Sequence, residues 1–171
     1  MVSIPSYNTH IATYDPIATQ RLNSAATTVT FSNIPGTYTD LVLTMEGHAT
    51  SGDFLYLRVN SDTGNNYSRT FISGSGSAAS SSRTSNFSAF YASIGTSSTA
   101  RGIARVQFQS YSNTSVYKTM LVNGGSAGAY VQNQVALWRS TSAITSITVL
   151  GGSGDLGAGF KLSLYGIRGE L

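Results

Sequence analysis

No long run in this chain sustains a helical period, whereas apolar and polar residues alternate at a period of two through one short segment after another. That pattern belongs to half-buried strands, because successive side chains of a strand point to opposite faces. The clearest case is residues 143–167, AITSITVLGGSGDLGAGFKLSLYGI. Ile144, Ile147, Val149 and Leu150 supply the apolar positions of a first run, and Phe160, Leu162, Leu164 and Ile167 those of a second. Between them Gly151, Gly152, Ser153, Gly154 and Asp155 tolerate positive φ, so the stretch predicts a β-hairpin at the centre of a sheet.

The same alternation recurs at 17–22, 27–31, 40–46, 54–60, 87–94, 102–110, 116–123 and 131–139, each bounded by Ser, Asn, Gly or Pro. In 54–60 the aliphatic face of Leu55, Leu57 and Val59 is expected in the core, opposite Phe54, Tyr56, Arg58 and Asn60. In 131–139 Val131, Asn133, Val135 and Leu137 share one face, and Gln134, Ala136 and Trp138 the other, with Trp138 at the core edge. About ten strands at such intervals predict an all-β protein, an antiparallel two-sheet β-sandwich of jelly-roll type. Two amphipathic sheets bury their apolar faces most economically against each other.

Two segments depart from the pattern. Residues 1–15 hold Pro5, Tyr7, His10, Ile11 and Tyr14 among small polar residues with no period, and are expected to form an extended N-terminal arm. Fully extended, such an arm reaches ~50 Å, far enough to cross onto a neighbouring subunit. Residues 16–171 then make a single β-sandwich domain. The second segment, 73–86, reads SGSGSAASSSRTSN, with Arg83 as its only charge. Lacking apolar content to offset the entropy of ordering, it is expected to be an exposed loop that covers a neighbour.

Composition narrows the chemistry. Charged residues are only 10% of the 171, against ~25% in an average soluble domain, so solubility rests on Ser, Thr, Asn, Gln and Gly. Such surfaces are common where β-rich subunits pack together. The ten basic residues give a net charge of +3 but are scattered along the chain, which argues against a nucleic-acid patch. No apolar run is long enough to span a membrane. The N-terminal residues lack the pattern of a secretory signal, so synthesis in the cytoplasm of the producing cell is expected.

Nothing in the titratable residues builds a catalytic centre, and the chain is expected not to be an enzyme. Glu46, His48 and Asp53 form the one constellation of histidine with carboxylates, more simply read as a strand end at the surface. With no cysteine and only two histidines, His10 and His48, a zinc site has no ligand set. Asn60, Asp62, Gly64 and Asn66 place oxygen ligands at alternate positions, yet one carboxylate is poor provision for calcium. A turn stapled by Asx hydrogen bonds is the favoured reading. No cofactor is expected. Tyr91, Tyr111, Tyr117 and Tyr130, near strand ends or loops, are candidates for stacking on sugars.

Five strings taken together resemble a family of small β-sandwich virion proteins of tailed bacteriophages: YDPIAT at 14–19, FSNIPGTYTDL at 31–41, NSDTGNNYS at 60–68, AITSI at 143–147 and SLYGI at 163–167. The resemblance implies a structural role without catalysis, as a capsid cement (decoration) protein or a fibre-associated module on the virion exterior. Its expected partners are the major capsid protein and copies of itself. Pro5, Tyr7, His10, Ile11, Tyr14 and Arg83 are the candidate contact residues. The alternative is a tail-fibre or receptor-binding module that recognises host-surface glycan.

Overall fold

A computed structural model describes residues 13–51, 54–92, 94 and 101–168. Twelve strands run through them: β1 Tyr14–Arg21, β2 Thr28–Phe31, β3 Asp40–Gly47, β4 Leu55–Val59, β5 Tyr67–Gly74, β6 Ala79–Phe87, β7 Phe90–Tyr91, β8 Gly102–Phe108, β9 Lys118–Ser126, β10 Tyr130–Trp138, β11 Ile147–Gly151 and β12 Lys161–Ile167. Among the described residues there is no helix. Eight strands form one sheet in the order β1-β12-β3-β8-β9-β10-β5-β6, and four form the other in the order β2-β11-β4-β7. All pairings are antiparallel. The chain passes from one sheet to the other repeatedly, which gives the sandwich its jelly-roll character.

The alternation places the core where the sequence predicts it. Leu55, Leu57 and Val59 of β4 are fully buried, facing Leu41, Leu43 and Met45 of β3 and Val106 and Phe108 of β8 within one continuous cluster. Each such side chain contributes roughly 1.5–3 kcal/mol on burial. Trp138 closes the cluster at the end of β10.

Three expectations are corrected. The closing stretch is no hairpin: β11 pairs with β2 and β4, and β12 with β1 and β3 in the opposite sheet. Two strands facing each other across a sandwich show the same inward alternation as two strands side by side, and the glycine-rich connection suits either arrangement. Residues 73–86 are not a loop, for most belong to the β5–β6 hairpin, turned through 75–78. Backbone pairing orders this serine-rich edge strand without burial of side chains, helped by the Ser73 and Ser80 hydroxyls 2.8 Å apart.

In β10 the valines lie outside, with Val131 61% and Val135 48% exposed, while Gln132 and Gln134 point inward. Gln134 donates to the Tyr91 carbonyl and accepts from Arg69 Nη1 at 3.4 Å, so its amide is satisfied in the interior. Finally, Tyr14 and Asp15 belong to the sandwich rather than to an arm, paired with Ile167 and Gly166. Pro5, Tyr7, His10 and Ile11 lie outside the described residues.

Candidate functional site

Pairing register dictates which side chains stand together on the outer face of the eight-stranded sheet. One row runs Thr19, Ser163, Thr44, Arg105, Asn123, Asn133, Ile72, Ser81 from edge to edge, and all but Ile72 are polar. The row beside it runs Arg21, Lys161, Glu46, Ile103, Gly125, Val131, Gly74. Over the middle of both lies a groove of about 860 Å³, walled by the β5–β6 turn at Gly74 to Gly76 and by the β9–β10 turn near Ser126 to Tyr130. Gly125, between Ile103 and Val131 in the second row, leaves a gap in its floor. A Cβ on Gly125 would fall 2.2 Å from the Tyr130 carbonyl oxygen, so the two strands close up here only around glycine.

The groove is polar along its centre and apolar at its shoulders. Asn123 Nδ2 donates to Asn133 Oδ1, which leaves the Asn133 amide hydrogens and the Asn123 carbonyl oxygen for a ligand. Ile103, 65% exposed, and Val131 flank this pair, and Tyr165 lines the side nearest β1. Arg105 Nη2 donates to Tyr14 Oη at 2.6 Å, and the same tyrosine meets the Tyr165 ring edge-on, with centroids 6.0 Å apart. Of the two predicted contact residues that are described, Tyr14 and Arg83, Tyr14 reaches the site, and it does so by holding Arg105.

Of the other predicted residues that are described, Arg83 and His48 do not line the groove and Glu46 does. Arg83 is exposed on the edge strand β6, opposite Thr70, and does not line the groove. Glu46 stands at the groove with its carboxylate 3.5 Å from Arg101 Nη1, in a half-exposed ion pair. His48 packs against Gly157, where a Cβ would come within 2.4 Å of Nε2, and Asp53 lies outside the described residues. Among the described residues no three metal-ligating side chains gather.

The Asp62 segment is the Asx-stapled turn expected: Oδ1 accepts from Gly64 N at 2.8 Å, and Oδ2 from Asn66 Nδ2 at 2.9 Å and Trp138 Nε1 at 2.6 Å. Burial raises the pKa of this carboxyl, but the three hydrogen bonds outweigh burial and hold it below the ordinary value. Its lone pairs are spent on the turn and on the core tryptophan.

Of the four tyrosines considered for sugar stacking, Tyr91 and Tyr111 are packed instead, and Tyr130 lines the groove at the β9–β10 turn. Tyr111 is fully buried and donates to the Pro35 carbonyl. Tyr91 lies under the Arg69 guanidinium at 3.5 Å and beside Phe54 and Tyr56. The Tyr130 hydroxyl is buried, and burial pushes its pKa up to about 12. Tyr117, 53% exposed, is open but does not line the groove.

The residues that do build the site, Asn123, Asn133, Arg105 and Lys161, carry no motif. Their only signal in sequence is that each falls on the outward parity of its strand. Asn123 and Asn133 become neighbours through the β9–β10 pairing, and Arg105 and Lys161 through the strand order β12-β3-β8.

No protein-family model and no curated protein matches the chain. Among solved structures, exo-inulinase from Aspergillus awamori is similar at 10% identity and a TM-score of 0.42 over 90% of this chain, which spans 29% of the inulinase. A galectin from Caenorhabditis elegans is similar at 11% identity and a TM-score of 0.36, covering 85% of this chain and 94% of the galectin. Toad ovary galectin, in a complex with thio-digalactose, is similar at 11% identity and a TM-score of 0.39, covering 81% and 99%. Likenesses this loose carry no argument about the groove, whose reading rests on its own residues.

Proposed function

We propose that the chain is a non-catalytic carbohydrate-binding module whose ligand lies in the groove over β12, β3, β8, β9 and β10. The observation that carries this reading is the Asn123–Asn133 amide pair, which offers a donor and an acceptor side by side between apolar shoulders. A sugar hydroxyl both donates and accepts, and a pyranose ring also presents C–H faces suited to Ile103, Val131 and Tyr165. Glycoside hydrolysis would need a pair of carboxyl groups across the bond. Glu46 is the one carboxylate among the described residues that line the groove, and it is engaged by Arg101.

Retention on a panel of immobilised glycans tests the proposal, with an Asn123→Ala/Asn133→Ala variant beside the wild type. Both asparagines are outward-facing, so the variant should keep its thermal midpoint while affinity drops by about tenfold or more, as expected for two lost hydrogen-bonding groups. Retention by no glycan, or equal retention of the variant, would contradict it.

A second reading, a structural module of a phage virion that assembles with its own copies, is favoured by a different observation. The two edges of the large sheet differ. β1 carries Pro16, a bulge between Pro16 and Ala18, and the charges of Asp15 and Arg21, all of which discourage further pairing. β6 is nine residues long, has no proline and one charge, Arg83, and offers an open row of backbone groups. A second copy paired along β6 would continue the sheet, and the glycan groove would then be displayed on an assembled particle. Attachment to a major capsid protein belongs to this reading too.

A further inference from the structure

Four cations from three parts of the chain stand on or beside β1, β12 and β8, and two of them, Lys161 and Arg105, line the groove. Arg21 and Lys161 are directly opposed across β1 and β12 and both exposed, and neither has a charged partner among the described residues. Arg105 follows on β8, its guanidinium bonded to the neutral Tyr14 hydroxyl, so its charge is oriented but not neutralised. Arg101 completes the group and shares the one acid present, Glu46. Among the described residues of β1, β3, β8 and β12 on this side, with Arg101 just before β8, four positive charges stand against the one negative charge of Glu46. Asp155, in the connection before β12, is bonded through its backbone to Thr50 just beyond β3, and the acids within β1 and β3 other than Glu46 lie at the opposite ends of these strands. Asp15 is held by Arg168 at 2.6 Å, and Asp40 accepts from Ser110 N at 2.8 Å and Gln107 Nε2 at 3.2 Å.

From this placement we infer that the groove takes an acidic glycan, one whose sugar units carry carboxylates, and selects it over neutral polysaccharides. The inference rests on the carbohydrate reading above and names the ligand class. Asn123 and Asn133 engage ring hydroxyls, while Arg105 and Lys161, one and three strands away, take the carboxylate of the same or the adjoining unit. An arginine fork bonds a carboxylate through two parallel N–H groups, which a neutral hydroxymethyl cannot reproduce. Tyr14 is a positioning residue here: its hydroxyl fixes the direction of the Arg105 fork. A nucleic acid is a less fitting polyanion, because the described lining has two half-buried tyrosines, Tyr130 and Tyr165, on separate strands and no aromatic row on which bases could stack.

The test measures binding of the full chain to polygalacturonate, hyaluronate and chondroitin, each as the free acid and as its carboxyl methyl ester, with a DNA oligonucleotide as a further polyanion. The free acids should bind, the esters should bind about tenfold more weakly or worse, and the difference should shrink as salt is raised. Arg21→Gln/Lys161→Gln, which alters two exposed unpaired side chains, should weaken binding of the free acids alone and leave the thermal midpoint unchanged. Equal binding of acids and esters would overturn the inference and leave the carbohydrate reading standing. Binding of none of the glycans in either form would overturn both. DNA bound as tightly as the free acids, with no effect of Asn123→Ala/Asn133→Ala, would mean an unselective polyanion site and would equally overturn the inference.

Discussion

Tyr67 shows how much of this fold hangs on one hydroxyl. Its ring is fully buried beside Phe90. Its oxygen accepts from Val59 N at 3.1 Å, and its proton is shared between the carbonyls of Val59 and Asp62 at 3.3 and 3.2 Å. The side chain thereby ties the end of β4 to the Asp62 turn and the start of β5. Burial is the main reason its pKa is pushed up to about 12, and the Asp62 carboxylate adds to the rise. An unfolded tyrosine ionises near pH ~10. A raised folded value means that the stabilisation is intact below that pH and is lost as pH climbs towards 12, because the unfolded chain gives up the proton first.

Stability to urea should therefore hold level from neutrality to mildly alkaline pH and fall above it. Tyr67→Phe should lose about 1–3 kcal/mol at neutral pH, since the Val59 N–H is left without its acceptor. The variant should also show a shallower alkaline decline, with Tyr130 still contributing. An alkaline decline as steep in Tyr67→Phe as in the wild type would show that this hydroxyl does not titrate as described.

At the scale of elements, strand positions were legible where a strand is wet on one side only. β4 and β8 carry strict alternation because one face meets the core and the other meets solvent or the sheet exterior. Pairing was not legible. The closing strands β11 and β12 point their apolar faces at each other from different sheets, a geometry whose parity is identical to that of a hairpin. The serine-rich β6 was illegible for the opposite reason: exposed almost throughout, it has no buried face to print a period on the sequence. Such an edge is stabilised by its backbone ladder, and nothing in its composition blocks a further strand. If β6 pairs with another copy, the chain should sediment as an oligomer. Ser81→Lys/Ser85→Lys, which sets like charges across the new seam, should release monomers of unchanged thermal stability. A wild-type chain that stays monomeric at high concentration would contradict that pairing.

For the molecule as a whole, the sandwich class followed from alternation and turn residues, yet the site did not. Scattered basic residues argued against a nucleic-acid patch, and the strand order brings Lys161 and Arg105 to one groove, with Arg21 opposite Lys161 and Arg101 paired to Glu46. Distance along the chain says little about distance across a sheet whose neighbours come from positions 21, 161 and 105. Nor do the candidate stacking tyrosines single out the proposed site, since Tyr91 and Tyr111 are spent on the interior and Tyr130 lines the groove with its hydroxyl buried. The proposed site rests on neutral amides at outward parity, Asn123 and Asn133, instead. The low overall charge fits such a surface, where side chains are cheap to desolvate and hydrogen-bond in both directions.

The central claim, that this groove and no other surface holds a glycan, is tested most directly by an amide correlation spectrum of the isotopically labelled chain titrated with polygalacturonate oligomers. Shifts should concentrate on the side-chain amides of Asn123 and Asn133 and on the backbone of β12, β3, β8, β9 and β10. Shifts confined to the four-stranded sheet or to β6, with the two asparagines unmoved, would contradict it.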